Sequence, residues 1–151
     1  MIRELCKEEL DNTFFDLNYE GFLYHYNHRK DIFKMKKYEE IRDFTLEKVD
    51  NGLKVLGFFK EDKLIGFLSY EINDKSKATK YLWIDEFEIT ENERGKGYGT
   101  LLLKEVKEIA IKENIKRIEL NVFDFNKNAI NLYKKLGYTE QRYTLEMFLE
   151  E

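Results

Sequence analysis

The segment that decides the fold is Ile89-Thr90-Glu91-Asn92-Glu93-Arg94-Gly95-Lys96-Gly97-Tyr98-Gly99-Thr100. A strand-like run ends at its first residue, and a helical pattern follows its last. Its three glycines let the backbone turn tightly, and the first amides of the helix point outward with a partial positive charge. Arg94 and Lys96 add two formal charges. The segment therefore predicts a phosphate or pyrophosphate site, the alternative being a purely structural turn with solvated cations.

The residues before this segment favour two helices followed by an antiparallel meander. Helical spacing of apolar residues covers about 7–26 and 37–50. Strand-like runs at 53–59 and 64–72 flank a short polar connection that is typical of a hairpin. A third strand is predicted over 81–89.

The residues after the segment favour a helix, a strand, a second helix and an extended end. An amphipathic helix follows the glycines directly. A strand is predicted over 115–122, a helix over 128–136 with Gly137 at its C-terminal cap, and an extended segment or hairpin over 138–149. A strand, a helix and a strand in succession imply a right-handed crossover with a locally parallel pair. We therefore expect an α/β (α+β) fold with a mixed, mostly antiparallel sheet flanked by helices.

The composition fits a single domain over residues 1–151. Hydrophobic residues make up 42% and aromatic residues 15%, which is enough to build a core. The apolar stretches are short and no export segment follows Met1, so we expect a soluble, cytoplasmic protein with no membrane partner. One cysteine and two histidines predict no metal site. A net charge of −4 argues against nucleic acid as a partner.

Two common nucleotide motifs fit the glycine segment poorly. A Walker loop needs four residues between its first glycine and Gly-Lys-Ser/Thr, and this spacing is absent from the sequence. The dinucleotide fingerprint needs a glycine where Thr100 stands and belongs to a parallel βαβ unit. Both interpretations are therefore weakened.

Two motifs together resemble the GCN5-related N-acetyltransferase (GNAT) family. Arg94, Gly97 and Gly99 match the family's acetyl-CoA signature, Arg/Gln-x-x-Gly-x-Gly/Ala, at a strand-to-helix turn. The family pattern Asn-x-x-Ala-x-x-Leu-Tyr, followed by Leu-Gly-Phe/Tyr, is matched by Asn126, Ala129, Leu132, Tyr133, Leu136, Gly137 and Tyr138. The resemblance covers about 53–138. It implies a single-domain GNAT-like fold and direct transfer of an acetyl group from acetyl-CoA to a primary amine.

The resemblance also implies where acetyl-CoA, the cosubstrate, would bind. Its pyrophosphate would be held at the turn formed by Arg94, Gly95, Lys96, Gly97, Tyr98, Gly99 and Thr100. The pantetheine arm would lie along the strand at Phe87 and Ile89, like an added strand. Asn126 would contact the arm, and Tyr133 would protonate the departing thiolate. The alternatives are a helix cap for Asn126 and an ordinary core aromatic for Tyr133.

Carboxylates on the strand before Ile89 are the candidate bases. An alkyl amine with a pKa of about 10 must lose a proton before or during attack, so a base or a water chain is needed. The resemblance implies that a base often lies four or six positions before the residue matching Ile89, which are Asp85 and Trp83 in this sequence. Trp83 cannot act as a base, so Asp85 leads and Glu86 follows. Strand alternation puts Asp85 and Glu86 on opposite faces of the sheet, and a bulge would reverse this arrangement. The alternatives are that both carboxylates are solvated and that an ordered water molecule acts as the base.

The N-terminal helices, which shape the acceptor pocket in the family, combine carboxylates with aromatic residues. The aromatic residues are Tyr19, Phe22, Tyr24, Tyr26, Phe33 and Tyr38. This mixture suits a cationic amine, while core packing is the simpler interpretation of any single aromatic. The competing function is a non-catalytic CoA- or nucleotide-binding sensor module, and an NAD-dependent oxidoreductase ranks last. A homodimer with residues 143–149 at its contact is a further expectation.

Overall fold

The computed structural model describes residues 1–149. They form two compact units, Met1–Asn121 and a second that begins at Val122. The first contains strands β1 (Ile2–Leu5), β2 (Lys54–Lys60), β3 (Lys63–Asn73), β4 (Tyr81–Ile89) and β5 (Ile118–Glu119), and helices α1 (Asn12–His28), α2 (Tyr38–Asp50) and α3 (Tyr98–Lys112). Short 3-10 turns precede α1 and α3, at Lys7–Glu9 and Glu91–Glu93.

The five strands form one sheet in the order β1-β2-β3-β4-β5. The pairs from β1 to β4 are antiparallel, and β5 runs parallel to β4. The two-residue turn between β2 and β3 holds Glu61 and Asp62 in the left-handed region, which suits a tight hairpin. The predicted fold class, with its mixed and mostly antiparallel sheet, is confirmed.

The core of the first unit lies between the sheet and its helices. Phe14 of α1 and Phe67 of β3 are each 1% exposed, and their ring centroids are 4.7 Å apart. The helix α3 packs on β2, β3 and β4 and buries its apolar stripe, which includes Leu102 and Val106. A buried hydrogen bond from Thr45 of α2 to Asn18 of α1 spans 2.9 Å. It joins the two N-terminal helices into one layer.

The structure differs from the sequence prediction at four places. The strand β1 was not predicted, because two of its four residues are charged and no alternation stands out. The strand predicted over 115–122 is reduced to the two residues of β5, and residues 138–149 have no regular secondary structure. The first helix begins at Asn12 rather than near 7, because Asp11 caps it by accepting from the amides of Thr13 and Phe14.

The second unit contains α4 (Lys127–Lys135). Gly137 ends it with φ of +100°, as the sequence predicts. Tyr133 is 9% exposed, and its ring centroid lies 5.6 Å from that of Tyr138. The apolar side chains of 143–149 are between 72% and 91% exposed. The single domain and the homodimer contact stay predictions.

Residues 1–149 contain neither a candidate membrane-spanning helix nor a cluster of potential metal ligands. None of the helices in this range combines the length and the apolar character that crossing a bilayer requires. The same range holds no group of three or more potential metal ligands from His, Cys, Asp and Glu side chains.

Candidate active site

The turn before α3 has the backbone geometry of an anion site. Gly95 and Gly97 have φ of +77° and +87°, a region that side-chain-bearing residues rarely adopt. A Cβ at either glycine would meet no atom within 4 Å, so the space beside the turn is open. Gly97 is the N-cap of α3 and has no side chain to cap the helix. The first helical hydrogen bond runs from the amide of Leu101 to the carbonyl of Gly97. The amides of Tyr98, Gly99 and Thr100 therefore precede the regular helical hydrogen bonds and are available to an anion.

The two cations of the turn are engaged locally. Arg94 donates from Nε to the carbonyl of Ile89 at 2.9 Å, and its Nη2 lies 3.8 Å from the carboxylate of Glu88. Lys96 lies 3.0 Å from Glu93, which also pairs with Lys60 at 3.3 Å. The Arg94 and Lys96 side chains are about half exposed, at 53% and 46%. They are fixed beside the turn and still open to solvent.

The strand β4 leaves an edge that its neighbour does not fill. In the part of the chain that the structure describes, β5 pairs only with Leu82 and Trp83 of β4. On the other side, the amide of Thr90 donates to Ile65 of β3 at 2.9 Å. Because amides alternate along an extended strand, the amide of Ile89 is directed to the side away from β3. This edge suits an extended ligand that adds to the sheet like a strand.

A bulge in β4 decides where the acidic side chains lie. Ser69 of β3 pairs with Glu86, whereas the next residue of β3, Tyr70, pairs with Ile84, so Asp85 is an extra residue. The hydroxyl oxygen of Ser69 accepts a hydrogen bond from the amide of Glu86 at 3.0 Å. The predicted opposition of Asp85 and Glu86 is therefore wrong, because the bulge turns both toward the layer of α1 and α2.

Asp85 is held by a lysine of α2. Lys48 donates to its carboxylate at 2.8 Å, and the two side chains are 29% and 22% exposed. Lys48 also lies 4.4 Å from the ring centroid of Phe44, one turn earlier on the same helix. Asp85 is thus a paired carboxylate rather than a solvated one.

Glu86 is a carboxyl group of β4 whose pKa is strongly raised. Its pKa is raised to about 7, first by burial and then by the charge of Asp85; Lys48 lowers the pKa and Glu88 raises it. A carboxyl with this pKa is divided between its charged and neutral forms near neutral pH. It can therefore accept a proton there, as a general base must.

Glu88 is a residue of the site that sequence reasoning did not select. Its carboxyl lies over Gly21 of α1, where an added Cβ would be only 2.5 Å from Oε1. The side chain is 15% exposed, and burial raises its pKa to about 7, with Arg94 lowering it and Glu20 raising it. Gly21 was the available signal, since a helix that approaches a strand this closely needs a residue without a side chain.

Asn126 and Tyr133 lie in the second unit. Asn126 occupies the N-cap position of α4, yet its side chain makes no capping hydrogen bond. The structure therefore does not support the interpretation of Asn126 as a helix cap. Tyr133 is buried in α4, and the amide of Tyr138 donates to its carbonyl at 3.0 Å.

Several aromatic residues of α1 and α2 form a partly exposed stack. Tyr19 lies 5.8 Å from Phe22, and Phe22 lies 6.1 Å from Tyr26, both pairs being stacked. Tyr38 contacts Tyr19 edge-on, and Tyr24 is 38% exposed. Tyr38 also packs against the hydrophobic core, so the core interpretation holds in part for this residue, while the other five aromatic residues of the predicted set are half-buried or exposed.

The family of this chain follows from comparison with known proteins. The profile of the acetyltransferase (GNAT) family matches residues 11–138. The chain therefore belongs to the GNAT family.

Two relatives and one solved structure are similar to this chain. Spermine/spermidine N(1)-acetyltransferase of Bacillus subtilis is 35% identical over 89 residues, which are 56% of this chain and 59% of that enzyme. Thialysine N-epsilon-acetyltransferase of Mus musculus is 31% identical over 74 residues, 49% of this chain and 44% of its own length. The matched parts thus span about half the length of these relatives. A crystal structure of a tetramutant of the BH1408 protein from Bacillus halodurans shares the fold, with a TM-score of 0.85 at 24% identity over 99% of both chains.

Proposed function

We propose that this chain is an N-acetyltransferase that transfers the acetyl group of acetyl-CoA directly to a primary amine. The observation that carries the proposal is the open glycine turn at the start of α3, in the same unit as a β4 edge that β5 leaves unpaired and two carboxyls whose pKa is about 7. An anion site and a base that works near neutral pH are the two requirements of this reaction.

The turn and the edge of β4 fit the cosubstrate. The amides of Tyr98, Gly99 and Thr100 would hold the pyrophosphate, with Arg94 and Lys96 beside them. Phe87 and Ile89 would offer backbone groups to the extended arm. When bound, acetyl-CoA supplies the activated acetyl thioester. The amide of Ile89 would donate to the thioester oxygen.

Glu86 is our leading base, ahead of Asp85. Asp85 accepts a hydrogen bond from Lys48 at 2.8 Å, which occupies one of its two carboxylate oxygens. The pKa of Glu86 lies near 7, so its carboxylate can take the proton of the ammonium group without being too weak a base. Asp85 would act on Glu86 through its charge, which raises the pKa of Glu86.

Two roles in the second unit are proposed from the family motif. Tyr133 would be the acid that protonates the departing thiolate, and Asn126 would contact the cosubstrate arm. Their inclusion also implies that residues 1–151 act as one catalytic domain.

The acceptor is proposed to be a cationic amine. The similarity to enzymes named for spermine, spermidine and thialysine supports an amine-bearing acceptor. The acidic residues of β4 supply a negative environment for its ammonium group, and the partly exposed stack on α1 offers aromatic faces.

Thermal unfolding with acetyl-CoA, CoA, NAD and ATP in parallel tests the proposal first. A ligand at about 100 times its Kd stabilises the native state by about 2.7 kcal/mol, which gives a shift of several degrees. We expect a shift with acetyl-CoA and CoA alone, followed by release of CoA in a panel of primary amines. A shift without release by any amine would favour the sensor module, and no shift at millimolar concentration would overturn the acetyltransferase.

Gly97→Ala should abolish stabilisation by CoA. At φ of +87° a side chain costs about 1–2 kcal/mol, and the new methyl group would point into the open space where the pyrophosphate is expected. Gly52→Ala is the matched control, since Gly52 has φ of +107° and open space but lies at the end of α2. Both variants should lose similar stability without ligand. A full CoA shift in Gly97→Ala would remove this turn from the cosubstrate site.

A further inference from the structure

Lys48 places an ammonium group inside the acidic face of the first unit. It donates to Asp85 at 2.8 Å and lies 4.4 Å from the ring centroid of Phe44. A carboxylate combined with an aromatic face is a common way for proteins to hold an alkylammonium ion. The chain thus contains a cation site that is already filled by one of its own side chains.

This cation site adjoins a pocket. Lys48 lines a pocket of about 250 Å³ together with Phe44, Glu47, Asn51 and Glu71. Lys48 also contacts Asp85, whose neighbour in the chain is Glu86. The same lysine therefore lines the pocket and pairs with a β4 carboxylate.

Among residues 1–149, two of the three carboxyl groups of β4 are paired with a cation and one is not. Lys48 balances the charge of Asp85, and Arg94 lies 3.8 Å from Glu88. Glu86 is the remaining β4 carboxyl, with Asp85, Lys48 and Glu88 as its charged neighbours. A second ammonium group near Asp85 would meet the positive charge of Lys48 instead of an unpaired carboxylate.

We propose that Lys48 determines acceptor specificity: it occupies the cation site formed by Asp85 and Phe44, so that amines with one ammonium group are preferred over polyamines. This inference rests on the proposed function for the identity of the acceptor. It assigns Asp85 a role as the partner of a cation, whether that cation is Lys48 or, in its absence, the distal ammonium of a polyamine.

The direct test is calorimetric binding of spermidine and of n-hexylamine without acetyl-CoA. In Lys48→Met, which keeps the length but not the charge, spermidine should bind about fivefold more tightly than in the wild type, the scale of one partly exposed ion pair. The affinity for n-hexylamine should change less. Lys48→Arg should keep the wild-type ratio, and Lys107→Met controls for loss of an exposed charge on α3.

A pH profile of acetylation separates specificity from a merely structural tether. Because Lys48 lowers the pKa of Glu86, Lys48→Met should move the acid limb to higher pH, whereas Lys48→Arg should not. Equal spermidine affinity in the wild type and Lys48→Met would overturn the proposal. A wild type that binds these amines but acetylates none would overturn the proposed function and leave the cation site standing.

Discussion

Glu86→Gln is expected to lower kcat/KM for amine acetylation by about 10² to 10⁴, the usual contribution of a general base. Gln keeps the size and polarity of the side chain but cannot take a proton. The acid limb of the wild-type profile, expected near pH 7 from the pKa of Glu86, should disappear in the variant. Initial rates across pH 5.5–9 with saturating acetyl-CoA measure both effects.

The stability of the same variant gives an independent check. Burial raises the pKa of Glu86 from 4.5 to about 7, so folding favours the protonated form. The stability that this group contributes is present below pH 4.5 and is lost as pH rises through 7. Gln does not ionise, so the free energy of unfolding of Glu86→Gln relative to the wild type should increase over this range. Urea unfolding at pH 4.5 and pH 8 would show it and would exclude misfolding as the cause of lost activity.

Asp85→Asn is the matched control for the base. Because the charge of Asp85 raises the pKa of Glu86, its removal should move the acid limb to lower pH, opposite in direction to Lys48→Met. Activity should survive at a reduced level. If instead Asp85→Asn loses the acid limb while Glu86→Gln keeps it, Asp85 is the base and our ranking of the two candidate bases is wrong.

Tyr133→Phe should also lower the acetylation rate by about 10² to 10⁴ if its hydroxyl is the acid. The ring is buried at 9% exposure, and Phe retains its packing, so the cost in stability should be small. CoA should shift the unfolding temperature as in the wild type, because the thiolate leaves only during the reaction.

Tyr138→Phe is the natural control for this variant. Its ring lies 5.6 Å from that of Tyr133, and burial raises the pKa of its hydroxyl to about 12. We expect near wild-type turnover, since no role in the proposed chemistry falls on it. An unchanged rate in Tyr133→Phe would exclude that tyrosine as the acid.

The sequence was most informative where local rules decide the structure. The glycine turn follows from backbone freedom, and β4 is observed at Tyr81–Ile89 as predicted. Local periodicity could not reveal β1, which exists because β2 offers it a partner. It also could not reveal that β5 is so short, since pairing with β4 sets its length.

The candidate site was predictable in its residue types more than in its geometry. The motifs pointed to the turn and to the acidic residues of β4, but tertiary contacts decided their roles. The pairing of Asp85 with Lys48 joins residues 37 positions apart, and the burial of Glu88 depends on Gly21 of α1. The first contact leaves no signal in the spacing of the residues along the chain, and the second leaves only the glycine in the middle of a helical pattern.

The extra residue at Asp85 also affects how this strand can be compared with others. A β4 without the bulge would pair its residues with β3 one after another, so the residue opposite Tyr70, the place now held by Ile84, would stand one position nearer the glycine turn. Deleting Asp85 would bring this regular pairing and would leave Ile84 opposite Tyr70, on the face that it already occupies. Positions before the bulge therefore correspond to those of a regular strand through register rather than through distance along the sequence.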